Sequence, residues 1–134
     1  MSRVIDGDTV KLAGGRLVRY LGIDTPEVRR RQGSGWVVDP EPFGVEASAF
    51  NRRLVEGRRV SFEYDAQTSD RFGRILAYVY VDDVMVNAEL LRAGLATPLI
   101  IPPNVEHAEE FRALADEARR EQRGLWGDSL SETP

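Results

Sequence analysis

The chain contains no cysteine and a single histidine, His107. The first absence excludes a disulfide framework and any thiolate metal site. The second excludes hydrolytic centres that need two or more imidazoles, so a metal here must be held by oxygen. No apolar run approaches the roughly 20 residues of a membrane-spanning helix, and no membrane partner is expected. The opening Met1-Ser2-Arg3-Val4 lacks the charged-then-apolar pattern of a signal peptide. The expected location is therefore cytoplasmic, or secreted or cell-envelope if a leader has been removed. A length of 134 residues suits one core. We expect a single monomeric domain over residues 1–127 and a polar tail over 128–134.

A positive excess, the usual mark of a nucleic-acid binder, is also missing: the net charge is −4. Its distribution weakens that objection. Residues 1–103 hold 14 Lys or Arg against 14 Asp or Glu, while residues 104–134 hold 4 against 8. The acidity thus belongs to the C-terminal helix and tail.

Strand patterns come first and helices later. Val10-Lys11-Leu12 and Leu17 to Ile23 are separated by Ala13-Gly14-Gly15-Arg16, a hairpin turn. Residues 28–42, with Gly, Pro and three consecutive arginines, read as a long surface loop. Ala47, Phe50 and Leu54 follow at helical spacing before the stop Gly57. Val60, Phe62 and Tyr64 alternate with polar residues as a half-buried strand, and Arg74 to Val81 is another. A short helix spans Asn87 to Ala93. A longer one runs from a cap at Asn104 to Arg123, burying Ala108, Phe111, Leu114, Ala115 and Ala118. Phe111 and Trp126 read as core, and His107 as a surface helix residue. The pattern is that of an α+β domain with a small antiparallel sheet.

Three stretches carry chemistry: Asp6-Gly7-Asp8-Thr9, Arg19 through Glu27 (RYLGIDTPE), and Asp70-Arg71-Phe72-Gly73-Arg74. Asp8 and Asp24 offer hard oxygens to a divalent cation. Glu27 can orient or deprotonate a water. The planar forks of Arg19 and Arg74 can grip a phosphate and meet the charge that builds on it. This set suits phosphodiester cleavage. Taken singly, DGDT and DTPE are ordinary turn and cap chemistry, Arg74 could be a solvated strand residue, and Arg29-Arg30-Arg31 a solvated loop. Arg19 says more, since an arginine between Val18 and Tyr20 in an apolar strand needs a partner. With a two-residue turn at Gly14-Gly15 or Ala13-Gly14, the hairpin register puts Asp8 on the same sheet face as Arg19. Asp24 has the opposite parity and joins them only if the chain bends after the strand, as Gly22 and Pro26 permit. Neither aspartate falls in an apolar pattern.

In order and spacing, from about Val4 to Trp126, these motifs resemble those of the staphylococcal nuclease (thermonuclease) family. The resemblance implies a five-stranded OB-type β-barrel with about three α-helices, whose concave face suits oligonucleotides. It implies Asp8, Asp24 and the carbonyl of Thr25 as ligands of Ca²⁺, Glu27 as the residue that activates water, and Arg19 and Arg74 as phosphate-binding catalytic arginines. It also implies hydrolysis of DNA and RNA, preferably single-stranded, to 3′-phosphate products. Arg71 and Phe72 become substrate contacts, and the phosphate-suited Arg29, Arg30 and Arg31 join them for longer strands.

Departures are visible too. Only five residues precede Asp6, and the loop before Phe43-Gly44 is longer than in the staphylococcal enzyme. Thr97 to Pro103 has no tyrosine where that enzyme has two, and Arg71-Phe72 replaces a Lys-Tyr pair. The alternative to an enzyme is a noncatalytic nucleic-acid or protein-binding module on the same fold. Such modules generally lack the catalytic set, which is present here.

Overall fold

The structure, a computed structural model, describes residues 3–38 and 41–127. The polar tail expected over 128–134 lies outside the described residues. Five strands follow the path β1-β2-β3-β8-β7 and curl into half a barrel of the OB type, with three main helices against it. They are β1 (Arg3–Asp6), β2 (Thr9–Lys11), β3 (Leu17–Tyr20), β7 (Ser61–Glu63) and β8 (Ile75–Val81), with β9 (Val84–Met85) added to β8. Strand β4 (Gly22–Asp24) pairs separately with β10 (Thr97–Leu99). Helices α1 (Gly44–Val55), α2 (Val86–Arg92) and α3 (Ala108–Arg120) complete the domain. Among the described residues no helix is long and apolar enough to cross a membrane.

The sheet is mixed rather than antiparallel. Strand β3 pairs with β8 in parallel, Val18 with Ile75 and Arg19 with Leu76. Parallel neighbours need a long crossover. Here the chain between them runs through β4, α1 and β7. Residues 28–42 are not a plain loop either. Strands β5 (Arg29–Gln32) and β6 (Gly35–Val38) pair antiparallel around Gly33-Ser34, with Gly33 at φ 61°. The β-forming Trp36-Val37-Val38 outweighs the loop-like composition before it.

The β2–β3 hairpin also differs in register. Thr9 pairs with Arg19, Val10 with Val18 and Lys11 with Leu17, so paired numbers sum to 28. The turn holds three residues rather than two, because the Leu12 amide donates to the Arg16 carbonyl at 2.8 Å and Gly15 takes φ 95°.

Helix α1 buries Gly44, Ala47, Ser48, Asn51 and Val55, leaving Phe50 and Leu54 only partly covered. Its apolar face is thus rotated from the expected one, with a buried asparagine at its centre. Asn51 accepts from the Tyr20 hydroxyl at 2.6 Å and donates to the Asp6 carbonyl at 2.9 Å. Asn87 on α2 accepts from the Val79 amide at 2.9 Å and donates to the Leu21 carbonyl at 2.8 Å. Both satisfy backbone groups of other segments. The strand expected to carry Val60, Phe62 and Tyr64 is confined to Ser61–Glu63, and Tyr64 lies beyond it, exposed.

Asn104 does not cap the last helix, which begins at Ala108 after His107. Its amide instead bridges the Gln67 backbone, accepting from the amide at 2.7 Å and donating to the carbonyl at 3.0 Å. His107 is half-buried, not a surface residue. Its ring stacks on Phe111, meets Tyr78 edge-on, and lies 3.0 Å from Glu63 and 2.9 Å from Glu110. Burial pulls the imidazole pKa down, but hydrogen bonds and charge from Glu63 and Glu110 outweigh it, so it rises above its ordinary value. A raised folded pKa gives stability that is fully present below about 6.5 and is lost as pH climbs through the folded value. The stability gap between the parent and His107→Gln, from urea unfolding, should therefore shrink as the pH is raised from about 6.5 through the folded value. A gap constant over that range would show that the histidine contributes packing only.

Candidate active site

Asp8 does not sit on a strand. It occupies the two-residue turn Gly7-Asp8 between β1 and β2, where Asp6 pairs with Thr9. A side chain at Gly7 would place Cβ 2.6 Å from Thr25 Oγ1 and 2.8 Å from Ala47, so glycine lets the turn press onto Thr25. Asp8 is 3% exposed. Its Oδ1 accepts from the Thr9 hydroxyl at 3.1 Å, and its Oδ2 from the Thr25 amide at 3.0 Å. The same Oδ2 lies 3.4 Å from Arg19 Nη2. The convergence of Asp8 and Arg19 is therefore present, but by a different route from the expected alternation. With paired numbers summing to 28, strict alternation would have sent Asp8 to the core beside Tyr20. The turn releases it from that rule.

The expected bend after β3 is present. Gly22 has φ 80°, and a Cβ there would meet the Phe111 ring at 2.5 Å. The bend brings Asp24 back to Arg19, whose Nη2 donates to Asp24 Oδ1 at 3.3 Å. Arg19 also holds the bend itself: Nη1 donates to the Tyr20 carbonyl at 2.7 Å and the Ile23 carbonyl at 2.9 Å. Glu27 follows, exposed at the rim, its amide donating to Glu41 Oε1 at 2.7 Å while the Glu41 amide returns to the Glu27 carbonyl at 2.8 Å.

Carboxylates crowd here. Burial, then the Asp8 charge, pushes Asp6 up to about 7. Burial followed by Asp8 also lifts Asp24 and Glu27, with Glu41 adding and Arg19 opposing in both cases. The site is short of positive charge, which suits a cation. Among the described residues no three acidic or imidazole side chains converge on one point. A cation would therefore rest on two carboxylates, Asp8 and Asp24, with carbonyl and water oxygens filling the rest. Such a donor set fits a hard ion. Among the described residues, Thr25 Oγ1 is buried without a hydrogen-bond partner, a spare oxygen beside Asp8 and Gly7.

Arg74 enters through the parallel pairing. Because Arg19 is opposite Leu76, Arg19 and Arg74 line one cleft of about 320 Å³ with Asp70, Leu76, Leu99 and Ile101. Asp70 organises its cationic edge. Its Oδ1 accepts from the Phe72 and Arg74 amides, both at 2.9 Å, and its Oδ2 from Arg74 Nε at 2.7 Å. Burial would raise the Asp70 carboxyl, but these Arg74 and Phe72 bonds hold it below the usual range. Phe72 is 71% exposed, with the Arg71 and Arg74 guanidinium carbons 4.9 and 6.0 Å from its ring centre. The side chains of Arg29, Arg30 and Arg31 lie outside the described residues.

The structure thus joins Asp8, Arg19 and Asp24 directly, and Arg19 in turn lines a cleft with Arg74, while Asp8, Asp24 and Glu27 lie outside that cleft's lining. It adds Asp6, Glu41 and Asp70, which the motif reading left without roles. Asp70 was the most accessible of these, since Asp before Arg-Phe-Gly is a typical side-chain-to-backbone turn.

The family described as "Staphylococcal nuclease homologue" matches residues 17–128. Endonuclease YncB of Bacillus subtilis is 37% identical over 134 residues, 96% of this chain and 61% of YncB. The thermonuclease of Staphylococcus intermedius is 36% identical over 94% of this chain and 74% of its own length. The SPbeta prophage-derived endonuclease YokF of B. subtilis is 37% identical over 94% of this chain, which spans 43% of YokF.

Proposed function

This chain belongs to the staphylococcal nuclease family, and on that footing we propose that it is a Ca²⁺-dependent nuclease that hydrolyses DNA and RNA, single strands preferentially, to 3′-phosphate products. The observation that carries this reading is Arg19 Nη2 held 3.4 Å from Asp8 and 3.3 Å from Asp24, in the cleft that Arg74 also lines.

Each group has a task. Asp8, Asp24 and the Thr25 carbonyl would hold Ca²⁺, which when bound supplies Lewis-acid charge to the phosphate. Arg19 and Arg74 orient the phosphodiester and neutralise its nonbridging oxygens as the five-coordinate state forms. Glu27 aims a water at phosphorus. Its carboxylate can also take the proton that this water gives up. Water adds to phosphorus as the bond to the 5′ oxygen breaks. That oxygen takes its proton from solvent, because guanidinium keeps its own up to a pKa above about 12. The apolar wall of Leu76, Leu99 and Ile101 gives the adjoining base a surface without specific hydrogen-bond readout.

A labelled single strand of DNA or RNA should be cut with Ca²⁺ and left intact in excess chelator. The fragments should resist polymerase extension until a phosphatase removes the 3′-phosphate. Full activity in chelator, or fragments extendable at once, would overturn the reading.

A further inference from the structure

The β5–β6 hairpin stands apart as a two-stranded sheet of its own. A lone hairpin is marginal in water, yet this one exposes large apolar surface, with Trp36 59% and Val38 74% exposed. Single exposed apolar residues are ordinary; the sequence that carries these is not. The hairpin carries Arg29-Arg30-Arg31, the one run of three consecutive cationic residues in the chain. The register sets Trp36 opposite Arg31 and Val38 opposite Arg29. Its base is pinned at the site, because the reciprocal bonds between Glu27 and Glu41, at 2.7 and 2.8 Å, close the two ends of the segment. Arg31 lies four residues beyond Glu27, a reach of roughly 13 Å at the rise of a strand.

An indole on a strongly cationic ribbon matches one ligand chemistry. Unpaired bases stack on aromatic rings while the accompanying phosphates meet guanidinium charge. A duplex hides its base faces and cannot use the indole in this way. We infer that the hairpin is an accessory arm for single-stranded nucleic acid, with Trp36 stacking on a base a few nucleotides from the phosphate in the cleft. The arginine run supplies the sequence-independent, salt-sensitive part of the hold. This assignment deepens the nuclease reading by adding a contact outside the cleft that favours unpaired and longer substrates.

The test is the binding of a labelled single strand of about twelve nucleotides, and of a duplex of the same sequence, followed by anisotropy in excess chelator. Trp36→Ala should weaken single-strand binding about tenfold, Trp36→Phe should retain most of it, and the duplex should be indifferent to both. Thermal melts of the variants check the fold. In parallel, the ratio of the KM for a dinucleotide to the KM for the longer strand, measured with Ca²⁺, should drop about tenfold in Trp36→Ala. No measurable binding of the strand, equal binding by parent and Trp36→Ala, or an equal loss for strand and duplex would overturn the arm. Trp36-dependent strand binding without any cleavage would leave the arm standing and remove the nuclease reading. Cleavage with Trp36-independent binding would do the reverse.

Discussion

Arg74→Lys should lower kcat on a single-stranded substrate by at least about a hundredfold, with a smaller change in KM. Asp70 Oδ2 holds Arg74 Nε at 2.7 Å while Asp70 Oδ1 secures the Arg74 amide, so the guanidinium is fixed before any substrate arrives. One edge of the fork serves Asp70, and terminal N–H groups remain for a phosphate. A lysine can pair with Asp70 or reach the phosphate, but one ammonium cannot present the same two edges. Donors preset for transition-state charge are worth roughly 3–4 kcal/mol, which sets the expected factor. Steady-state kinetics decides it: an unchanged kcat would reduce Arg74 to a strand residue that ties its own turn. Arg19→Lys is a less clean experiment, because it also removes the Nη1 bonds to the Tyr20 and Ile23 carbonyls that hold the bend. It should lower both the rate and the melting temperature.

Asp8→Asn should raise the Ca²⁺ concentration needed for half-maximal activity by at least about a hundredfold, since even groups that only orient a metal ligand are worth 10–100-fold in affinity. Asparagine keeps the volume of the side chain and one acceptor for the Thr25 amide, but it loses the charge that Arg19 meets at 3.4 Å. Asp8 is buried at 3% exposure although it falls in no apolar pattern, so alanine there would also leave polar groups unpaired. Asp24, with its side chain 51% exposed, is free of that complication. Asp24→Asn should shift the same curve with little change in melting temperature. A half-activation point that stays put in both variants would remove them as ligands.

Much of this site was legible in the chain, though not always for the right reason. The pairing of Asp8 with Arg19 was expected from strand alternation, but a three-residue turn at Ala13-Gly14-Gly15 shifts the register. Asp8 reaches Arg19 only because it belongs to a turn. The return of Asp24 was readable, because Gly22 must adopt a positive φ and leave room for Phe111. The meeting of Arg19 with Arg74 was not. It depends on a parallel pairing across a long crossover, and nothing local in β3 or β8 encodes that partner. Asn51, Asn87 and Asn104 escaped notice for a related reason. Each satisfies backbone groups far away in sequence, so Asn104 read as a helix cap while it was holding Gln67. The arm was hidden by composition, its arginines and glycines masking the strand-forming Trp36-Val37-Val38.

The most direct single measurement is the rate of cleavage of a single-stranded oligonucleotide as free Ca²⁺ is varied, for the parent and for Asp24→Asn. If Asp8, Arg19 and Asp24 form a metal-dependent phosphodiesterase centre, the parent should show saturable activation from a zero baseline. The variant should then need at least about tenfold more Ca²⁺. A parent rate independent of Ca²⁺, or superimposable curves for the two proteins, would contradict it.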